Sequence, residues 1–130
     1  MKLWIDDVRP APDGYVWCKS VNETITSIKL IDEMLLDLNG QLDRHYSYHP
    51  VRQESRIREI QLAINNTEIE LIDIDHDAGD FAHLGGDYIK LLDWLEETGR
   101  NYPIRIHSMN PVGRENMRAI IRRNGWTEVF

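Results

Sequence analysis

Polar side chains that could do chemistry are concentrated in three short segments, each following an apolar run. The segments are Asp6-Asp7, Asp75-His76-Asp77 and His107-Ser108-Met109-Asn110. Carboxylates are the hard oxygen ligands that Mg²⁺ and Mn²⁺ prefer. Histidine titrates near neutral pH, so a pair of imidazoles could supply the acid and the base of a phosphoryl transfer. These residue types together predict a metal-assisted reaction at a phosphate.

The elements that must position these segments alternate between short apolar runs and amphipathic stretches. This alternation predicts a parallel α/β sheet, in which the loops after neighbouring strands converge on one crevice. Strands are expected at Leu3–Ile5, Tyr15–Cys18, Ile69–Asp75, Ile104–His107 and Trp126–Phe130. Helices are expected from the capping box at Ser20 to Asn39-Gly40, over Gln53–Ile64, around Tyr88–Leu95 and after Asn110-Pro111. The three polar segments would then meet in space.

Each candidate residue has a chemical and a structural interpretation. For the acids Asp6, Asp7, Asp75 and Asp77 we expect a divalent-metal site, whereas the alternative is that they cap helices and solvate turns. If they are packed together without a cation, their repulsion would favour a proton on one of them. For His76 and His107 we expect proton transfer beside a catalytic Asp75, and the alternative is a structural histidine. Asp73 is expected to be a structural hydrogen-bonding group within its strand.

The start of the last helix is a candidate anion site. A helix N-terminus presents free N–H groups and the positive end of the helix dipole. Ser108, Asn110 and Arg114 are therefore expected to hold phosphate oxygens. Arg9, which follows the first acidic pair, is a further candidate substrate-binding residue. Arg118 and Arg122 follow Arg114 at intervals of four residues but are expected to form a solvated basic face.

Composition restricts the class of protein. The chain has 130 residues, a net charge of −7 and one cysteine, Cys18, so an internal disulfide is excluded and binding to double-stranded DNA is not expected. No segment reaches the roughly 18 apolar residues of a membrane span. The N-terminus meets Asp6-Asp7 too early for a signal peptide. We expect a cytoplasmic protein that does not bind membranes, and a homo-oligomer remains open.

Three motifs together resemble the cyclic-phosphate-processing receiver-like family. They are Leu3-Trp4-Ile5-Asp6-Asp7-Val8-Arg9-Pro10, Asp75-His76-Asp77-Ala78-Gly79-Asp80 and His107-Ser108-Met109-Asn110-Pro111-Val112-Gly113. The resemblance spans residues 1–38 and 69–130. It implies a receiver-like, flavodoxin-like three-layer α/β sandwich with a five-stranded, mostly parallel sheet. It also implies that Asp6 and Asp7 match the metal-binding acids, Asp75 the phosphoacceptor and Ser108 the hydroxyl residue after the fourth strand.

The chain departs from a signalling receiver, because a proline-rich turn replaces the first helix and two histidines are added. We therefore expect a single receiver-like domain over residues 1–130, with residues 39–68 as an inserted helical segment. The favoured function is a phosphodiesterase, hence a hydrolase, acting on a 2′,3′-cyclic phosphate at an RNA end or on a cyclic nucleotide, with Mg²⁺ or Mn²⁺. The alternatives are a module that binds a cyclic nucleotide without cleaving it and a receiver domain phosphorylated on Asp75.

Overall fold

The computed structural model describes residues 1–47 and 54–130. In chain order the elements are β1 (Lys2–Ile5), β2 (Tyr15–Cys18), α1 (Val21–Ser47), α2 (Glu54–Thr67), β3 (Leu71–Ile74), α3 (Ile89–Glu97), β4 (Ile104–Ile106), α4 (Pro111–Asn124) and β5 (Glu128–Val129). They fall into two compact units. The sheet unit comprises Met1–Thr26 with Ile69–Phe130, and the helical unit comprises Ser27–Glu68.

The sheet has the order β2-β1-β3-β4-β5, and every neighbouring pair of strands is parallel. All five carboxyl ends therefore lie along one edge, where the polar segments follow β1, β3 and β4. The predicted receiver-like α/β fold is confirmed. As the sequence predicts, the connection from β1 to β2 contains no helix, because its prolines and Gly14 form turns instead.

The two faces of the sheet differ in burial. Side chains on one face are fully buried, namely Leu3, Ile5, Ile72, Ile74 and Ile104. Helices α3 and α4 contact each other and lie on the same face, because right-handed connections from β3 to β4 and from β4 to β5 advance in the same direction. The other face carries Lys2, Trp4, Tyr15, Trp17, Asp73 and Arg105. Of these, only Asp73 is buried.

Helix α1 is longer than the sequence predicts. It begins as expected, with the Ser20 hydroxyl accepting from the Glu23 N–H at 3.0 Å. It does not end at Asn39-Gly40, and that prediction was wrong: the helix continues to Ser47. Asn39 donates its side-chain N–H to the Leu35 carbonyl one turn back. A glycine costs a helix only about 1 kcal/mol relative to alanine, so flanking turns can carry the helix through it.

The ends of several other elements also differ from the prediction. Strand β3 comprises Leu71–Ile74 rather than Ile69–Asp75, and β4 ends at Ile106 rather than His107. Helix α2 continues past its expected end at Ile64 to Thr67, whose hydroxyl donates to the Ala63 carbonyl at 2.7 Å. Its expected first residue, Gln53, lies outside the described residues. Strand β5 comprises only Glu128–Val129. Among the helices described, none combines the length and apolar character needed to cross a membrane.

Candidate active site

Three of the expected site residues meet at the carboxyl edge of the sheet. A carboxylate oxygen of Asp6, one of Asp75 and a ring nitrogen of His107 all lie within 4.8 Å of one another. These residues follow β1, β3 and β4, which are adjacent in the sheet. Strand order therefore brings together side chains that are up to 101 positions apart in the chain.

Asp6 is fixed by the loop that it begins. Its Oδ1 accepts hydrogen bonds from the backbone N–H groups of Val8 at 2.9 Å and Arg9 at 2.8 Å. The Trp17 indole N–H donates to its backbone carbonyl at 2.7 Å. Burial alone would raise the pKa of Asp6, but the two backbone donors and His107 stabilise the carboxylate and lower the pKa below its usual value.

His107 lies between two buried carboxylates. Its Nδ1 bonds Asp73 Oδ1 at 2.6 Å, and its Nε2 bonds Asp6 Oδ2 at 2.9 Å. Since ionised carboxylates only accept, a ring with a proton on each nitrogen, an imidazolium, satisfies both bonds. Burial opposes that charge, but the bonds to Asp73 and Asp6 outweigh burial and raise the pKa of His107. The Trp4 indole stacks on the imidazole with centroids 3.9 Å apart and planes 3° apart.

Asp7 lies close to the other acids and is crowded by them. Burial, followed by the negative charges of Asp6 and Asp75, raises its pKa. Its carboxylate lies against the backbone of Gly79, where φ is +53° and an added Cβ would collide with it. The expected repulsion among the acids is thus present, and it favours a proton on Asp7.

The residues present fit a divalent cation. Asp6 and Asp75 offer the oxygen ligands, whereas His107, bonded to carboxylates through both ring nitrogens, lies beside them as a proton-bearing group. A cation there would also relieve the repulsion that raises the pKa of Asp7. The carboxylates of Asp7 and Asp77, both expected as ligands, are not part of the group whose ligand atoms lie within 4.8 Å.

His76 forms a different pair. Its Nδ1 bonds the exposed Asp77 carboxylate at 2.9 Å, and its backbone N–H donates to Asp75 Oδ1 at 2.8 Å. The ring packs against Gly113 in the first turn of α4, where an added Cβ would lie 2.5 Å from the ring. His76 therefore lies beside the Asp75 carboxylate and the start of α4, but its ring nitrogens are not part of the three-residue group.

The expected substrate-binding residues surround the start of α4 and the β1 loop. Asn110 caps the helix by accepting from the Gly113 N–H at 3.0 Å, and the buried Ser108 hydroxyl accepts from the Asn110 N–H at 3.1 Å. Arg114 donates to the Ser108 carbonyl at 3.3 Å and lines an open pocket of about 320 Å³. Arg9 is exposed and donates to the His107 carbonyl at 3.4 Å. The two arginines are the groups here that could reach an anion.

The sequence does not indicate the partners of two residues, Asp73 and Trp4. Asp73 is a buried hydrogen-bonding group, as expected, but that its partner is His107 is seen only in the structure. A signal existed, since Asp73 and Asp75 are two positions apart and therefore share a face of the strand. Trp4 was considered only as part of a strand. Its contact with His107 depends on strand order and register, which the sequence does not state.

The fold and these residues define the class of protein: a receiver-like α/β domain with an acidic, histidine-containing site at the carboxyl edge of its sheet. The model of one family, described as the cyclic-phosphate processing receiver domain, matches residues 1–52 and 43–123. The chain belongs to that family, as its motifs predict. Comparisons with curated proteins and with solved structures found no match.

Proposed function

We propose that this chain hydrolyses a cyclic phosphate diester, either the 2′,3′-cyclic phosphate of an RNA end or a cyclic nucleotide, in the cytoplasm. The observation that carries the proposal is the convergence of Asp6, Asp75 and His107 within 4.8 Å. The two carboxylates suit a divalent cation, and the cation together with a charged imidazole suits an anionic phosphate better than a neutral substrate. The name of the family supports the same substrate chemistry.

His107 is the proposed general acid. Hydrolysis joins a water oxygen to phosphorus, breaks one ring P–O bond and leaves a hydroxyl that must gain a proton. A charged His107 carries a proton on Nε2, and Asp73 fixes the ring through Nδ1 at 2.6 Å. The raised pKa favours the charged ring, as an acid requires. A divalent cation, Mg²⁺ or Mn²⁺, held by Asp6 and Asp75 would neutralise charge on the phosphate oxygens.

His76 is the proposed general base. With Nδ1–H donating to Asp77, its Nε2 is left as the acceptor that takes the proton from the attacking water. The packing of its ring on Gly113 sets it beside the N-terminus of α4, whose N–H groups attract anions. Arg9 and Arg114 would hold the remaining phosphate oxygens, with Ser108 and Asn110 shaping the loop between them.

The experiment is hydrolysis of 2′,3′-cyclic mononucleotides and cyclic dinucleotides with Mg²⁺, with Mn²⁺ and with chelator. Loss of general acid–base catalysis lowers rates by about 10²- to 10⁴-fold, so His107→Gln and His76→Gln should each fall in that range. The matched control is His83→Gln, since His83 bonds only the Asp80 carbonyl among the described residues. Asp75→Asn should abolish turnover and Asp13→Asn, at an exposed turn, should not.

The outcomes separate the candidate functions. No turnover of any substrate would refute the proposal, and tight binding of an unchanged cyclic nucleotide would then indicate a sequestering module. Turnover that persists in chelator would remove the cation from the mechanism and leave the histidines. Occupation of Asp75 by beryllofluoride without any hydrolysis would favour the phosphoacceptor alternative.

A further inference from the structure

The sheet face opposite α3 and α4 carries a row of aromatic rings that the proposed reaction does not use. Tyr15 and Trp17 lie on β2, and Trp4 lies between them and the site on β1. Trp4 and Tyr15 pack edge to face with centroids 5.9 Å apart, and Trp4 stacks on His107 at 3.9 Å. Each of the three side chains keeps part of its surface exposed. We call Trp4, Tyr15 and Trp17 the aromatic row.

Positively charged side chains lie on or beside the aromatic row. The Lys2 ammonium lies 5.5 Å from the centroid of Tyr15, and the Lys19 ammonium lies 4.4 Å from that of Trp17. Arg105 lies on the same face and is half exposed. These positive charges stand out in a chain whose net charge is −7. The carboxylate of Asp73, on the same face, is 2 % exposed and already bonded to His107.

The aromatic row extends across the sheet face to the candidate active site. Lys2 and Tyr15 begin their strands, and Trp4 and Trp17 follow two residues later in the same register. His107 comes after β4 at the carboxyl edge, where it contacts both Trp4 and Asp6. A ligand lying along this face would therefore have one end beside the proposed acid.

Aromatic rings interleaved with lysines are the surface that single-stranded nucleic acids use, since every base has a face to stack and every phosphate a charge to neutralise. We propose that this face binds the terminal nucleotides of an RNA strand, with bases on Tyr15 and Trp17, phosphates against Lys2 and Lys19, and the cyclic end at His107. The placement of the cyclic end at His107 rests on the proposed function. The proposed substrate is a strand rather than a free mononucleotide.

The test measures strand binding and turnover separately. A labelled RNA of about six nucleotides, matching the few-nucleotide sites of such surfaces, is titrated by fluorescence anisotropy at two salt concentrations. Its 3′ end carries either a 2′,3′-cyclic phosphate or a hydroxyl. The variants are Lys2→Glu with Lys19→Glu, and Tyr15→Leu. The matched control is Lys90→Glu, an exposed lysine on α3. Turnover of a 2′,3′-cyclic mononucleotide is measured on all of them.

Tyr15→Leu should weaken strand binding by at least about fivefold, since one base–aromatic stack is worth that much or more. The double variant Lys2→Glu with Lys19→Glu should weaken it by at least the same factor, because its lysines no longer neutralise phosphates. The lysine pair should also reduce the dependence of binding on salt, because fewer phosphates are neutralised. In these variants, mononucleotide turnover should stay within about twofold of that of the unmodified protein, and the thermal midpoint within about two degrees. Lys90→Glu should change neither strand binding, turnover nor the thermal midpoint.

Failure of this inference can be told from failure of the proposed function. If the RNA does not bind, or if Lys90→Glu weakens RNA binding as much as the lysine pair does, the strand-binding face is refuted whatever the turnover. If mononucleotide turnover is absent while the hydroxyl-ended RNA still binds and the variants weaken it, the face stands and the hydrolase proposal falls.

Discussion

Replacing Asp73 with asparagine isolates the charge that holds His107. The Asp73 and His107 side chains are 2 % and 10 % exposed, and their bond is 2.6 Å long. An asparagine side chain has nearly the same shape as aspartate and could still accept from Nδ1–H through its amide oxygen. The substitution therefore removes a negative charge while leaving the packing against Trp4 and β4 in place.

The magnitude follows from the burial of the pair. A hydrogen bond to a charged group contributes about 1.5–3 kcal/mol, and water does not screen this pair as it would a surface pair. Because asparagine keeps a weaker acceptor, we expect a loss of about 1–2 kcal/mol in the free energy of unfolding near neutral pH. The same interaction energy stabilises the imidazolium, so the pKa of His107 should fall in the variant.

The assay is urea denaturation combined with an NMR titration of the His107 ring. The matched control is Asp77→Asn, which removes the same charge from the same kind of bond, at 2.9 Å to His76 Nδ1, but at a carboxylate that is 61 % exposed. It should change stability by less than about 0.5 kcal/mol. If Asp73→Asn leaves the His107 titration unmoved, or if the control costs as much, Asp73 does not hold the charge of His107.

Three other predictions concern the same edge of the sheet. Because folding raises the pKa of His107, its contribution to stability is complete below about pH 6.5 and is lost as pH rises through the pKa of the folded protein. The urea midpoint should therefore fall with rising pH in that window. A midpoint that does not change with pH would contradict a charged His107. Gly79→Ala should destabilise more than Gly14→Ala: both glycines have positive φ, but only at Gly79 does a Cβ meet a neighbour, the Asp7 carboxylate; equal thermal midpoints would contradict this. Asn110→Ala removes the cap on α4 and should cost about 1 kcal/mol in thermal or urea unfolding, with a cost near zero indicating that the cap is dispensable.

The meeting of Asp6, Asp75 and His107 could be predicted because it needs only two facts. Each residue follows an apolar strand, and the carboxyl ends of parallel strands lie at one edge. The separation of His76 from that group could not be predicted in the same way. Adjacent residues leaving a strand point to opposite faces, so Asp75 and His76 diverge even though they are neighbours in sequence.

The helix boundaries show a different limit. Asn39-Gly40 is a strong stop signal in isolation, yet α1 runs through it to Ser47. Local propensity differs by only about 1 kcal/mol at such a position, and the turns on either side decide the outcome. The strand register that sets Trp4 opposite both Trp17 and Asp73 is likewise a property of the assembled sheet.

Asp6 has two roles, and its replacement by alanine would remove both at once. Its Oδ1 organises the turn through Val8 and Arg9, while its Oδ2 faces His107. Removing it would loosen the connection between the first two strands as well as empty the reaction centre. An inactive Asp6 variant is therefore poor evidence for catalysis, and a descendant that had lost its chemistry would still be under pressure to keep this aspartate. Retention of Asp75, which folds no such turn, is the better sign of a working enzyme among relatives.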